Sequence, residues 1–217
     1  LFDAISYSKG AAVLRMLEDY LGEDTFREGL RKYITSHQYG NARTEDLWAA
    51  LEAVSGQPVT SIMNTWVKQM GYPLLQMETQ RDGDQAHLLL TQKRFLYDQL
   101  QGEDEEDETL WQVPVSISVK GSPAKTSKLI SARQETVELE RANVQGGDWI
   151  KVNSGQTGFY RVAYPPKEAE KLQIAVASLE LPATDRLGLE SDSYALMRAG
   201  FIPAIHFLAL AEAYKNE

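Results

Sequence analysis

Apolar residues recur at helical spacing along the first third of the chain. Val13, Leu17 and Leu21 share one face of a predicted helix, and charged residues occupy the opposite face. The same spacing predicts three more helices. One carries the apolar residues from Phe26 to Ile34, one is capped by Thr44 and ends at Gly56, and one carries those from Ile62 to Met70.

From residue 74 onward the helical spacing gives way to short apolar or alternating runs, which are typical of strands. Turn residues such as Asp82-Gly83-Asp84 separate several of these runs. Seven strands close together predict a small antiparallel β-sandwich. The strands are Leu74–Thr79, Ala86–Phe95, Trp111–Val119, Lys125–Ile130, Thr136–Glu140, Trp149–Asn153 and Phe159–Tyr164. Its expected core is formed by Leu88, Leu90, Val113, Val115, Ile117, Val119, Val137, Ile150 and Val152.

Helical spacing returns after Pro165-Pro166. We expect one helix to begin at Pro166, a second to be capped by Thr184 and to end near Arg198, and a third to begin at Pro203. These three helices would be the beginning of a larger helical domain. The chain is therefore predicted to be α+β and multidomain, with boundaries at residues 1–73, 74–164 and 165–217.

The charge of the chain excludes two classes of partner. The net charge is −9, and six of the acidic residues form one run, Glu103–Glu108, which we call the acidic run. An acidic chain lacks the basic face that nucleic acids and anionic membranes require. No apolar stretch reaches the roughly 18 residues typical of a membrane span. We interpret the acidic run as a solvated loop; the sequence leaves open whether it has a partner.

A search for catalytic or metal-binding motifs in the residues alone finds little. The chain has no cysteine, which excludes disulfides and thiolate metal sites. His37, His87 and His206 form no H-E-x-x-H pair, so each is interpreted as an ordinary surface or half-buried imidazole. No metal site is expected within this chain. These patterns alone predict only a soluble helical and β-sandwich protein.

One segment carries a more specific signal. The sequence Phe2–Leu17 contains the core S-Y-x-K-G-A followed by an aliphatic helix. It resembles the stretch around the catalytic tyrosine of the gluzincin family of zinc aminopeptidases. Similar matches follow in the family's order along nearly the whole chain: TEDLW at 44–48, NTWVKQMGYP at 64–73, GFYRV at 158–162 and DRLGL at 185–189.

This resemblance implies a function for a longer protein. Residues 1–73 would be the helical C-terminal part of a thermolysin-like catalytic domain, followed by the sandwich and the first helices of a C-terminal domain. The family's G-A-M-E-N and H-E-x-x-H motifs would precede residue 1. We therefore expect an internal piece of a zinc aminopeptidase that removes N-terminal residues from peptides. The piece alone would bind no zinc and be inactive. A cytoplasmic location is expected from the resemblance and from the missing cysteines and N-x-[ST] sites.

The resemblance also assigns roles to two residues. Tyr7 matches the tyrosine whose hydroxyl stabilises the oxyanion of the tetrahedral intermediate. Phe2 resembles a position that lines the pocket for the first side chain of the substrate, although an apolar core contact explains a phenylalanine equally well.

Two expectations do not depend on catalysis. The chain could instead be a non-enzymatic β-sandwich and helical interaction module, in which the sandwich and the acidic run bind a protein partner. Residues 1–73 could also expose an apolar surface and associate with a second copy, which sedimentation at several concentrations would detect.

Overall fold

Four helices form the first region of the fold. The computed structural model describes residues 5–82, 85–97, 107–122, 124–139 and 144–215. Its first helices are α1 (Gly10–Leu21), α2 (Glu23–Ser36), α3 (Thr44–Ser55) and α4 (Val59–Val67). All four predicted helices are present.

The apolar faces and the glycines explain how these helices pack. Val13 and Leu17 of α1 are buried, as the spacing predicted. Gly22 ends α1 with a φ of 84°, a conformation that glycine adopts without steric cost. Gly29 of α2 lies against Leu51 of α3, and a Cβ at Gly29 would come within 2.6 Å of the Leu51 side chain. The absence of a side chain at Gly29 therefore sets the close approach of α2 and α3.

Two predicted helix ends are wrong. Thr44 is the first residue of α3 and not its cap. The preceding residue, Arg43, donates its backbone N–H to Asp46 Oδ2 at 2.7 Å. The Asp46 carboxylate thus accepts a hydrogen bond from the backbone N–H of the N-cap residue, Arg43, and Thr44 does not cap the helix. Helix α4 ends at Val67, so Met70 lies beyond it and is 83% exposed.

Seven strands follow, and they form two sheets. The strands are β1 (Pro73–Asp82), β2 (Gln85–Arg94), β3 (Val113–Val119), β4 (Thr126–Ile130), β5 (Gln134–Glu138), β6 (Ile150–Val152) and β7 (Arg161–Ala163). One sheet has the order β5-β2-β1-β7 and the other β4-β3-β6. The pairs are antiparallel except β1 with β7, which is parallel. The predicted strands are confirmed, with this one parallel pair as the exception to an antiparallel sandwich.

The first helices and the two sheets share one apolar core. All nine residues predicted for the sandwich core are buried, and they are continuous with buried side chains of α1, α3 and α4. Trp66 of α4 is fully buried near Trp111, with ring centroids 6.3 Å apart. Its indole N–H donates to the carbonyl of Gln112 at 2.9 Å. Burial of such large aromatic surfaces joins the helical region firmly to the sandwich.

The end of the acidic run is held by arginines. Asp107 lies 3.0 Å from Arg94, and Arg133 donates to the Asp107 carbonyl at 2.8 Å. Burial by itself raises the pKa of Asp107, but hydrogen bonds from Thr109 and the two arginine charges outweigh it and lower the pKa. This part of the run is therefore bound to the sandwich. Residues 101–106, which include most of the run, lie outside the described residues.

Three helices complete the described chain: α5 (Pro166–Ala177), α6 (Ala183–Arg198) and α7 (Ala204–Glu212). Pro166 is the first residue of α5, as predicted. Helix α6 begins at Ala183, so Thr184 lies inside it and does not cap it. A small separate core holds these helices together; it includes Leu172, Val176, Leu181, Leu189 and Ala213. Among the described helices, none is long and apolar enough to cross a bilayer.

Candidate functional site

Tyr7 lies at the entrance of α1. It belongs to a π-helical turn, Ile5–Lys9, that continues directly into the helix. The sequence predicted an aliphatic helix after the S-Y-x-K-G-A core, and the structure adds the wider turn before it. Such turns are uncommon and are frequent at functional sites. Tyr7 is 58% exposed, so much of this residue lies outside the described core. Phe2, the other predicted site residue, lies outside the described residues.

Hydrogen bonds from Lys9 connect this turn to the end of the first helical region. Its ammonium donates to the carbonyls of Gln69 and Gly71, both at 3.4 Å. Partial burial lowers the pKa of Lys9. No role was predicted for this lysine from the sequence, although it stands in the same S-Y-x-K-G-A core as Tyr7. Lys9 thus connects the tyrosine turn to the segment that leads into β1.

Asp19 fastens the other end of α1. Its carboxylate accepts from the ammonium of Lys125 at 2.8 Å and from the hydroxyl of Thr157 at 3.0 Å. Between the two ends, Val13 and Leu17 anchor the middle of α1 in the core. The helix that follows Tyr7 is consequently held at its start, along its length and at its end.

A cluster of buried charges lies between the sandwich and α6. Lys151 is completely buried, 3.8 Å from Asp185, which is 2% exposed. Arg161 lies 3.0 Å from Asp192, and the backbone N–H of Val162 donates to the same carboxylate at 3.1 Å. No motif in the sequence predicted this cluster. The available signal was indirect, since Arg161 and Asp185 both stand in motifs that carry the resemblance.

Burial is the main cause of the pKa shifts of Lys151 and Asp192. It lowers the pKa of Lys151, which the nearby charges of Asp185 and Asp192 only partly oppose. It raises the pKa of Asp192 in spite of the attraction from Arg161 and Lys151. Both shifts follow from the cost of removing a charge from water. The cluster therefore links the sandwich to α6 through the ion pairs Lys151–Asp185 and Arg161–Asp192. Within each pair, the charge of one partner favours the charged form of the other.

Comparison with known proteins identifies the family. Residues 1–66 match the peptidase family M1 domain, and residues 149–217 match the ERAP1-like C-terminal domain. The whole chain is 37% identical to puromycin-sensitive aminopeptidase of Caenorhabditis elegans. It is 41% identical to aminopeptidase M1-A of Oryza sativa subsp. japonica and 41% identical to aminopeptidase M1 of Arabidopsis thaliana, again over its full length. The chain belongs to peptidase family M1. It covers 23%, 24% and 25% of these three relatives, about a quarter of their length.

The site residues of this M1 chain fall into the two matched segments. Tyr7, Lys9 and Asp19 lie in the segment that matches the peptidase domain. Lys151 and Asp185 lie in the segment that matches the C-terminal domain. The two matches thus separate the tyrosine turn from the buried charge cluster, and residues between them form most of the sandwich.

The three histidines of the M1 chain are not brought together. His37 ends α2, where it contacts the Tyr33 carbonyl at 3.0 Å and Asp46 at 3.5 Å. His87 lies in β2, paired with Glu138, and His206 lies in α7. In the part of the chain that the structure describes, no three His, Asp or Glu side chains are grouped as a metal site requires.

Apolar surface is exposed in the M1-matching helices. Exposed side chains in the first region include Tyr7, Ile34, Tyr39 and Val67. A shallow groove of about 420 Å³ also runs along α1 between Leu14, Phe26, Leu30 and Leu47. Self-association through this surface stays a prediction.

Proposed function

We propose that the chain is an internal segment of a zinc aminopeptidase that removes N-terminal residues from peptides in the cytoplasm. Similarity over the full chain to several aminopeptidases supports the activity. The segment would comprise the helical remainder of the catalytic domain (1–73), the sandwich (74–164) and the first helices of the C-terminal domain (165–217). The same similarity favours an enzyme over a non-enzymatic interaction module.

Within this enzyme, Tyr7 would donate a hydrogen bond to the oxyanion that forms when water attacks the first peptide bond. The observation that carries this role is the exposed Tyr7 side chain on a turn fixed to α1, within the segment that matches the peptidase domain. A phenolic hydroxyl suits the task because it can donate a hydrogen bond without carrying a charge. Phe2 would line the pocket for the first side chain of the substrate.

The chain would supply this donor and leave the metal to the rest of the polypeptide. The 217 residues contain no H-E-x-x-H motif. Zinc in the complete enzyme would activate the attacking water. The chain alone would then keep the oxyanion donor but lack the general base and the metal ligands.

An assay of the isolated chain tests this division of roles. We expect no turnover of an aminoacyl fluorogenic substrate by the 217-residue chain in the presence of zinc, and turnover by the full-length enzyme under the same conditions. The Tyr7→Phe chain is the matched control, since a trace signal present in both samples comes from a contaminant. Turnover by the isolated chain near the full-length rate, and its loss in the control, would overturn the assignment.

A further inference from the structure

The loop Asn153–Gly158, between β6 and β7, has an unusual backbone. Asn153 has a φ of 61°, Gly155 of 76° and Gln156 of 53°. Positive φ is uncommon for residues other than glycine and raises the conformational energy of the backbone. Two non-glycine residues in this conformation within four positions are kept only where the surroundings impose them. We call this segment the connector loop.

Side chains inside the loop hold it closed. The Asn153 amide accepts from the Gly158 N–H at 2.8 Å and donates to the Gly158 carbonyl at 3.1 Å. A Cβ at Gly158 would come within 2.1 Å of the Tyr160 ring, so the closure needs glycine at this position. The buried ammonium of Lys151 donates to the carbonyls of Val152 and Asn153 at 2.7 and 3.0 Å. Hydrogen bonds therefore hold the loop where it begins, at Val152 and Asn153, and where it ends, at Gly158.

Helix α6 packs against one side of the connector loop. The Gly155 N–H donates to Asp185 Oδ1 at 2.7 Å, and Asp185 is almost fully buried. Gly188, one helical turn later, lies directly against Gln156; a Cβ there would meet the Gln156 side chain at 2.2 Å. Helix α6 thus contacts the loop through a charge-assisted hydrogen bond to Asp185 and through the close approach of Gly188 to the end of the Gln156 side chain.

Helix α1 contacts the other side of the loop. The Thr157 hydroxyl donates to Asp19 Oδ2 at 3.0 Å, and Lys125 of the sandwich holds the same carboxylate. Asp19 and Asp185 come from helices far apart in sequence. Their binding positions on the loop, Thr157 and Gly155, are two residues apart.

We propose that the connector loop couples the position of α6 to the position of α1. A displacement of α6 that moves Gly155 or Gln156 must also move Thr157. The reason is that the two hydrogen bonds between Asn153 and Gly158 keep one part of the loop from moving without the rest. Since α1 continues from the turn that carries Tyr7, the loop also helps to position that tyrosine. The catalytic consequence rests on the proposed function of Tyr7, whereas the mechanical coupling does not.

Amide hydrogen exchange of α1 in the full-length protein tests the coupling. Gly188→Ala pushes the Gln156 side chain and should speed exchange in the peptide covering 10–21 by at least about threefold, because α1 then loses part of its anchor. Leu187→Ala is the matched control. Leu187 is the neighbouring residue on α6 and is 68% exposed, so its truncation should leave α1 exchange unchanged.

A second pair of variants keeps the test decisive if Gly188→Ala disturbs folding. Thr157→Val removes the hydroxyl at nearly constant shape and should itself speed α1 exchange, whereas Thr157→Ser should behave as the unmodified protein. With Thr157→Val present, Gly188→Ala should add no further change in α1. Unchanged α1 exchange in Thr157→Val, or an equal effect of Thr157→Ser, overturns the coupling.

The rate of peptide hydrolysis separates this inference from the proposed function. If Tyr7 is catalytic, Thr157→Val should lower kcat severalfold at constant KM, and Thr157→Ser should restore it. Faster α1 exchange with unchanged kcat would support the coupling and contradict the role proposed for Tyr7. Unchanged exchange contradicts the coupling whatever the value of kcat.

Discussion

Replacing Tyr7 with phenylalanine should lower kcat of the full-length aminopeptidase by about 10²–10³, which corresponds to about 3–4 kcal/mol of transition-state stabilisation. The substitution removes one hydroxyl and keeps the ring. A donor that acts only on the oxyanion contributes nothing to binding of the ground state, so KM should change little. Steady-state kinetics with an aminoacyl fluorogenic substrate would measure both constants.

The control for this variant is a second exposed tyrosine of the same region. Tyr39 is fully exposed after α2, and Tyr39→Phe should leave kcat unchanged. Zinc content and melting temperature should match those of the unmodified enzyme in both variants, because both tyrosines are largely exposed. A Tyr7→Phe enzyme with normal kcat would remove this residue from the mechanism.

Replacing Asp192 with alanine should destabilise the protein by about 3–5 kcal/mol, the range found when one partner of a buried ion pair is removed. Asp192 is 3% exposed and accepts from Arg161 and from the Val162 N–H. Its loss leaves the half-buried guanidinium and a buried backbone donor without this acceptor. Urea unfolding followed by circular dichroism would measure the change.

Glu190→Ala provides the matched comparison for the buried pair. Glu190 also lies on α6, is half-buried, and loses the same formal charge on substitution. Its effect should stay within about 0.5 kcal/mol, as for most substitutions outside the core. A loss below about 1 kcal/mol for Asp192→Ala would show that the cluster does not hold α6 to the sandwich.

Local pattern was sufficient for most elements of the fold. The spacing of Val13 and Leu17 predicted α1, and the alternation of Val113, Val115 and Ile117 predicted β3. Both periods could be found in the sequence because backbone geometry sets them within a few residues. Helix ends were less predictable. Thr44 and Thr184 have the right chemistry for caps, but Asp46 and the residues before Ala183 set where α3 and α6 begin.

The burial of the tryptophans shows where sequence patterns become insufficient. Because all four stand on apolar faces, the sequence predicts that they lie in the core. Trp48, Trp66 and Trp111 are buried, whereas Trp149 is only partly buried and donates its indole N–H to Glu180 at 3.0 Å. That hydrogen bond, together with Lys120, lowers the pKa of Glu180. Each tryptophan lies in an apolar run, so only the neighbours supplied by distant segments distinguish them.

For the candidate site, the sequence determined that Tyr7 stands before an amphipathic helix in a motif typical of zinc aminopeptidases, and that the chain has no H-E-x-x-H zinc motif. Only the tertiary structure showed that Lys9 and Asp19 hold the two ends of that helix and that the connector loop lies between Asp19 and Asp185. The physical reason is range. Periodicity and capping chemistry act within a turn or two of the chain, whereas a carboxylate and its partner more than a hundred residues away meet only after the whole core has packed.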